Sequence, residues 1–369
     1  MVSRHFASLD GLRGIAAMMV LAHHVFAITD WPKYETLNPF YWLARKGWMG
    51  VDVFFVLCGC VIAYTWLALH RTNPTTARRI FLWRRAARIL PLYFLTLIAW
   101  ILWILPPTQM SGYEQMVVAL RYLFLLHGFP HSSYGLINGV NWSIGIEFQF
   151  YFLIAFMGIW ITRFSYLQIV IGSLLIAWGS KSLVYLYAGI TGLDTGQSVP
   201  YFCQLLPLFD SFGLGVAVGK FLSTDLERML SVLRQKRQFL WACTALLLSW
   251  VLLLWWHTPD ALSNPWFHIL MRSGLSLCVA MLILSLVVFE GISPQEPSCS
   301  MSVFQYAGTI SYGIYLWHLL VILWLKQHAD LRPEWFMVVA VMGTLFLASA
   351  SWHLFEKPCM RWIRARANA

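Results

Sequence analysis

Roughly ten helix-length stretches, each apolar and nearly free of charge, constrain this chain more tightly than any other feature. They fall at roughly 10–29, 47–69, 89–106, 142–162, 167–187, 200–222, 239–257, 267–289, 305–326 and 335–355. A bilayer core about 30 Å thick is crossed by about 20 residues rising 1.5 Å each. Backbone polar groups find no water there, so a lone apolar run of this length must be a helix. Charged residues make up only 11% of the chain, against about 25% in soluble domains. The expected fold class is therefore all-α, a polytopic membrane bundle of about ten transmembrane helices. The interrupted stretch 115–129 is expected to be re-entrant or interfacial. No soluble domain or internal repeat is evident, so residues 1–369 are expected to form a single transmembrane domain with no fused extracytoplasmic domain. The first span lacks a small-residue cleavage site and is expected to be retained.

The formal charge of +10 invites a nucleic-acid reading, but the Lys and Arg residues sit mainly in short segments between apolar spans. Topology explains them better. The segment after the second span holds Arg71, Arg78, Arg79, Arg84, Arg85 and Arg88. The one after the sixth holds Arg228, Arg234, Lys236 and Arg237, and the tail holds Lys357, Arg361, Arg364 and Arg366. With ten spans all three lie on one side, which the positive-inside rule makes cytoplasmic, and both termini are then cytoplasmic. The opposite loops carry scattered charges such as Lys33, Lys46, Arg121 and Arg332. Seven cysteines lie mostly in or beside apolar spans without zinc spacing, so no metal is expected.

The first span, Asp10-Gly-Leu-Arg-Gly-Ile-Ala-Ala-Met-Met-Val-Leu-Ala-His-His24, places costly groups at membrane depth. Eleven residues at about 100° each put Arg13 and His24 within about 20° of one helix face, about 16 Å apart along the axis. Asp10 stands on nearly the same stripe, whereas His23 points about 100° away and reads as structural. Given the orientation, His24, Asp52 and Glu147 each lie about five residues from the outer ends of their spans, at one level in the membrane. His318, in the ninth span, lies slightly deeper and could equally be a packing residue. An imidazole can take a proton from an alcohol, and a carboxylate can fix its tautomer. Arginines suit a phosphorylated ligand. Arg84, Arg85 and Arg88 stand at the cytoplasmic entry to the third span. A donor with a phosphate head and a long thin arm, the shape of coenzyme A, would bridge from them to the histidine.

Five stretches resemble the acyltransferase 3 family of integral membrane acyltransferases. They are Leu9-Asp-Gly-Leu-Arg-Gly-Ile-Ala-Ala running on to His24, Gly50-Val-Asp-Val-Phe-Phe-Val-Leu, Arg84-Arg-Ala-Ala-Arg-Ile-Leu-Pro-Leu-Tyr, Trp142-Ser-Ile-Gly-Ile-Glu-Phe-Gln-Phe-Tyr and Ser311-Tyr-Gly-Ile-Tyr-Leu-Trp-His. Phe355-Glu-Lys-Pro is a weaker sixth. The family's arginine–ten residues–histidine motif falls on Arg13 and His24. The resemblance implies transfer of an acyl group, commonly acetyl, from cytoplasmic acyl-CoA to a sugar hydroxyl. The acceptors would be exopolysaccharide, lipopolysaccharide, peptidoglycan or a lipid-linked glycan at a bacterial inner membrane. It implies that His24 is the general base and that Arg13 with Arg84, Arg85 and Arg88 holds the donor. Asp52 and Glu147 would orient the histidine and acceptor, with Asp10 and His318 in support. Where relatives commonly have Val-Leu-Ser-Gly-Phe, this chain has Val56-Leu-Cys-Gly-Cys, so no serine nucleophile stands at position 58. Cys58 reads as a buried small thiol. A stand-alone enzyme of this kind would need a partner protein to deliver its acceptor. The rival class is a transporter using the intramembrane His, Asp and Glu as a proton relay or sugar path.

Overall fold

A computed structural model describes residues 6–29, 44–104, 111–129, 134–224, 235, 237–257, 265–292 and 299–367. Lys33, Arg228, Arg234 and Lys236, used above to orient the chain, lie outside them. Among the described residues all regular structure is helical. The first helices are α1 (Ala7–Thr29), α2 (Gly50–Thr72, after a 3₁₀ turn Gly47–Met49), α3 (Ala77–Trp103) and α4 (Gly112–Leu123). A 3₁₀ turn, Gly139–Asn141, leads into α5 (Trp142–Met157), followed by α6 (Trp160–Arg163), α7 (Tyr166–Thr191), α8 (Thr195–Phe202) and α9 (Phe209–Thr224). The remainder are α10 (Arg237–His257), α11 (Pro265–Ile292), α12 (Cys299–Thr309), α13 (Ser311–His328) and α14 (Pro333–Ser351). A π-helical turn, Trp352–Glu356, then joins α14 to α15 (Lys357–Ala367).

Seven of these helices are long and apolar enough to cross a membrane, or eight if α12 and α13, bent by 72° at their junction, form one broken span. The chain is an integral membrane protein. All ten apolar stretches lie on helices, but not all on full-length ones. The sixth is divided between α8 and the 16-residue α9, and the apolar part of α10 covers Leu240–Ser249. At 12 residues α4 is too short to span, and a reciprocal Ser111–Glu114 capping box fixes its start.

The basic run after the second span is not a loop. Only residues 73–76 separate α2 from α3, and Arg78, Arg79, Arg84, Arg85 and Arg88 all stand on α3 itself. Asn73-Pro74 punctuates the chain, and the Arg, Ala, Ile and Leu that follow are good helix formers. The helix continues through Pro91 instead of starting near it.

The described chain forms two compact units, each drawn from three stretches. The first comprises Met1–Leu9, Asp52–Arg78 and Ile146–Ser298, and the second Asp10–Val51, Arg79–Gly145 and Cys299–Ala369. In the first unit α7, α9 and α11 pack on one another, and α10 lies along α11. Gly59 of α2 faces the Phe212 and Gly215 backbone of α9, and Gly215 and Gly219 face Val56 and Cys60 in return. Small residues four apart let two backbones touch, the usual way helices associate where lipid offers no hydrophobic drive. Glu290 of α11 caps α1 from outside: its carboxylate accepts from Ala7 N at 2.9 Å, Ser8 N at 3.0 Å and Ser8 Oγ at 2.6 Å. An acid at a helix N-terminus satisfies orphan donors and meets the positive end of the dipole. In the second unit α13 packs on α14 and on the turn Gly139–Asn141.

Candidate active site

Within the second unit α1 presents Asp10, Arg13, His23 and His24, and α13 presents His318. Arg13 Nη1 lies 3.9 Å from Asp10 Oδ1, one turn away. The Nδ1 of half-buried His24 lies 3.2 Å from Nε2 of fully buried His318. Each Nδ1 also faces a carbonyl of its own helix, His24 to Val20 O at 3.0 Å and His318 to Ile314 O at 3.2 Å. A carbonyl oxygen only accepts, so each Nδ1 carries a proton. In the neutral rings both Nε2 atoms are then acceptors. His318 Nε2 takes a share of the His24 Nδ1 proton, and His24 Nε2 keeps its lone pair, with no hydrogen bond among the described residues. His24 Nε2 can thus accept a proton, and the second imidazole can stabilise the positive charge that results. His23 is held differently, through Nδ1 at 2.9 Å from Arg45 O.

The three arginines of α3 differ. Arg84 is exposed and makes no ion pair among the described residues. The Arg85 guanidinium lies 5.6 Å from the centre of the Phe81 ring. Arg88 donates to Thr309 O at 3.1 Å, lies 3.9 Å from Glu356 Oε2 and sits 4.9 Å over the Trp352 ring. Arg88 thus ties α3 to the α12–α13 bend and to the π-helical turn, a feature often found at functional sites.

Against α13 lies the turn that precedes α5. Tyr315 Oη is 2.7 Å from Ser143 Oγ and donates to Val140 O at 3.0 Å, while Asn138 Nδ2 donates to Leu316 O at 3.0 Å. His127 donates from Nε2 to Asn141 O at 2.9 Å, and burial pushes its pKa below the ordinary imidazole range. Asn138 adopts a left-handed conformation, φ +47°, which Asn tolerates better than most residues.

The two carboxylates singled out in the sequence, Asp52 and Glu147, belong to the first unit. Asp52 Oδ1 accepts from Arg272 Nε at 2.7 Å, and Glu147 accepts from Tyr151 Oη one turn on. A second buried pair joins Lys181 Nζ to Asp210 Oδ2 at 2.7 Å, with Ser273 Oγ donating to the same oxygen at 2.6 Å. Lys181, Asp210 and Arg272 were missed in the sequence. The signal was present, since opposite charges inside apolar spans are expected to pair. Among the described residues no three His, Cys, Asp or Glu side chains converge in a way that would hold a metal.

Helices of membrane length and two facing histidines in a buried setting define a polytopic membrane protein with an imidazole pair inside its helical bundle. A family model described as an acyltransferase domain matches residues 6–353, and the chain belongs to that family, acyltransferase 3. YrhL of Bacillus subtilis (strain 168), named provisionally as a peptidoglycan O-acetyltransferase, is 28% identical over 374 residues, 96% of this chain and 55% of its own. The peptidoglycan O-acetyltransferase OatA of Listeria monocytogenes serovar 1/2a (strain ATCC BAA-679 / EGD-e) is 27% identical over 377 residues, 96% of this chain and 56% of its own. Acyltransferase MdmB of Streptomyces mycarofaciens is 32% identical over 150 residues, 39% of this chain and 37% of its own. The chain spans little more than half the length of the first two. No solved structure gives a significant match.

Proposed function

We propose that this protein is a membrane O-acyltransferase that moves an acyl group, most simply acetyl, from cytoplasmic acyl-CoA to a sugar hydroxyl. The acceptor is a cell-envelope or lipid-linked glycan of a bacterium, and the protein acts from the inner membrane with ten spans and both termini cytoplasmic. The observation that carries the reading is the His24–His318 pair, with each Nδ1 turned to a carbonyl and His24 Nε2 left as a base. Family membership and the relatives' names support the reaction class.

The donor supplies an activated acyl carbonyl and a thiolate leaving group. Exposed Arg84 fits an anionic head, and Arg13, Arg85 and Arg88 share that role. His24 takes the hydroxyl proton at Nε2 as the oxygen attacks the acyl carbon. The new C–O bond replaces the C–S bond, and the same nitrogen returns the proton to the departing sulfur, so no proton is gained or lost. His318 Nε2 and the Val20 carbonyl hold the His24 Nδ1 proton throughout, which fixes the tautomer and steadies the imidazolium. A partner protein that presents the glycan completes the system.

Purified protein in lipid nanodiscs, given acetyl-CoA labelled in the acetyl group and a glycan acceptor, is expected to release CoA thiol and label the glycan in equal amounts. The buried Asp52–Arg272 and Lys181–Asp210 pairs favour a second reading, a transporter with a proton relay. Proton-coupled flux without thioester consumption would select it.

A further inference from the structure

The turn Ile137–Ser143 holds two polar atoms without a partner among the described residues. Asn138 and Asn141 are 1% and 0% exposed, and among the described residues the side-chain oxygen of each has no hydrogen-bond partner. Their amide nitrogens are spent, Asn138 on Leu316 O and Asn141 on Ile137 O at 3.5 Å. The backbone around them is fixed as well, by His127 Nε2 on Asn141 O and Tyr315 Oη on Val140 O. Buried acceptors are paired in the great majority of cases, and each exception needs an occupant or a reason. Here two such acceptors stand three residues apart on a rigid turn.

The turn lies along the α13 face that carries His318. Tyr315, His318 and Leu319 share that face by their i, i+3, i+4 spacing. Tyr315 bonds the turn at Val140 and Ser143, and a Cβ at Gly139 would lie 3.6 Å from Leu319. The His318 ring lies 5.8 Å from the ring of Tyr315, which bonds the turn, and its Nε2 faces His24. The occupant must donate hydrogen bonds. A metal cation is poorly matched, because residues 134–143 contain no carboxylate and the neighbouring His127 and His318 add no negative charge. Hydroxyl groups fit, since each donates one proton to a neutral amide oxygen.

We propose that Asn138 and Asn141 form a binding subsite for the hydroxyl groups of a saccharide, set beside the His24–His318 pair. The inference rests on the acyl-transfer reading in naming that saccharide as the acceptor. Two hydroxyls of one sugar engage the amide oxygens, which orients a third toward His24. An ordered water bridging the two oxygens is the competing occupant.

The test is equilibrium binding, which does not depend on turnover. Full-length protein in nanodiscs is titrated by calorimetry with a β-1,4-linked N-acetylglucosamine tetramer and, separately, with its fully O-methylated form, which has no hydroxyl donors. The wild type is expected to bind the tetramer and to discriminate strongly against the methylated probe. Asn138→Gly, which keeps the left-handed backbone, and Asn141→Ala should each weaken tetramer binding about tenfold and narrow that discrimination, the size of one lost hydrogen bond. His24→Ala should lose transfer while still discriminating between the two probes. Failure of the wild type to bind, equal affinity for both probes, or a lowered melting temperature in the Asn variants with unchanged affinity overturns the proposal. Tetramer binding without any acetyl-CoA consumption leaves the subsite standing and overturns acyl transfer instead.

Discussion

His24 and His318 stand 294 residues apart in sequence and 3.2 Å apart in space. Helical phase singled out His24 with Arg13 and set His23 aside, and in the structure His23 Nδ1 faces Arg45 O. The partnership was not legible, because depth within a membrane does not say which spans adjoin. For the same reason Asp52 was recognisable as an ionisable group needing a partner, but not as the acceptor for Arg272. Removing the second imidazole should leave His24 able to accept a proton but poorly stabilised once charged. His318→Ala is expected to lower kcat about a hundredfold with the acyl-CoA KM nearly unchanged, measured by thiol release. The Lys181–Asp210 pair makes a different demand, since both side chains are wholly buried. Lys181→Met leaves an uncompensated carboxylate and should cost about 3–5 kcal/mol, whereas Lys181→Met with Asp210→Leu should restore most of it. Thermal unfolding in detergent distinguishes the two; equal losses would mean that the pairing is unimportant.

At the level of elements, apolar length was a sound guide to where helices lie but not to how they end. α3 absorbed five arginines assigned to a loop, because its start is set by the Asn73-Pro74 punctuation and not by the first apolar residue. The ninth stretch became α12 and α13 with a 72° bend, a geometry that a hydropathy pattern does not encode. The irregular segment before α5 is the least legible of all, although it carries His127, Asn138 and Asn141. Its stability should respond to acid. Burial keeps the folded pKa of His127 below the unfolded value of about 6.5, so below that pH the unfolded chain takes up a proton that the folded chain refuses. The stabilising contribution is complete above about pH 6.5 and declines as pH falls toward the folded value. His127→Gln should flatten the dependence of the melting temperature on pH below about 6.5. An unchanged slope would show that other groups set it.

For the molecule as a whole, family membership and helical membrane character were both legible early, since five spaced motifs run through the chain and apolar spans dominate it. The number of crossings was less so. Among the described residues seven helices meet the length and apolarity needed, and a ten-span topology depends on counting shorter and broken ones. Ten spans, with the basic residues of α3 and α15 on the inner side, would put both termini in the cytoplasm. Reporter fusions at each terminus, one active only in the cytoplasm and one only outside it, should both report cytoplasm. Opposite sides for the two ends would require an odd count.

Whether His24 moves the proton in acyl transfer is decided by comparing His24→Ala with the wild type. Both are reconstituted in nanodiscs with acetyl-CoA and a glycan acceptor, and thiol release and acetylated product are followed together. His24→Ala is expected to lose at least about a hundredfold in kcat with the fold intact by melting temperature. Acyl transfer at the wild-type rate in His24→Ala would contradict it.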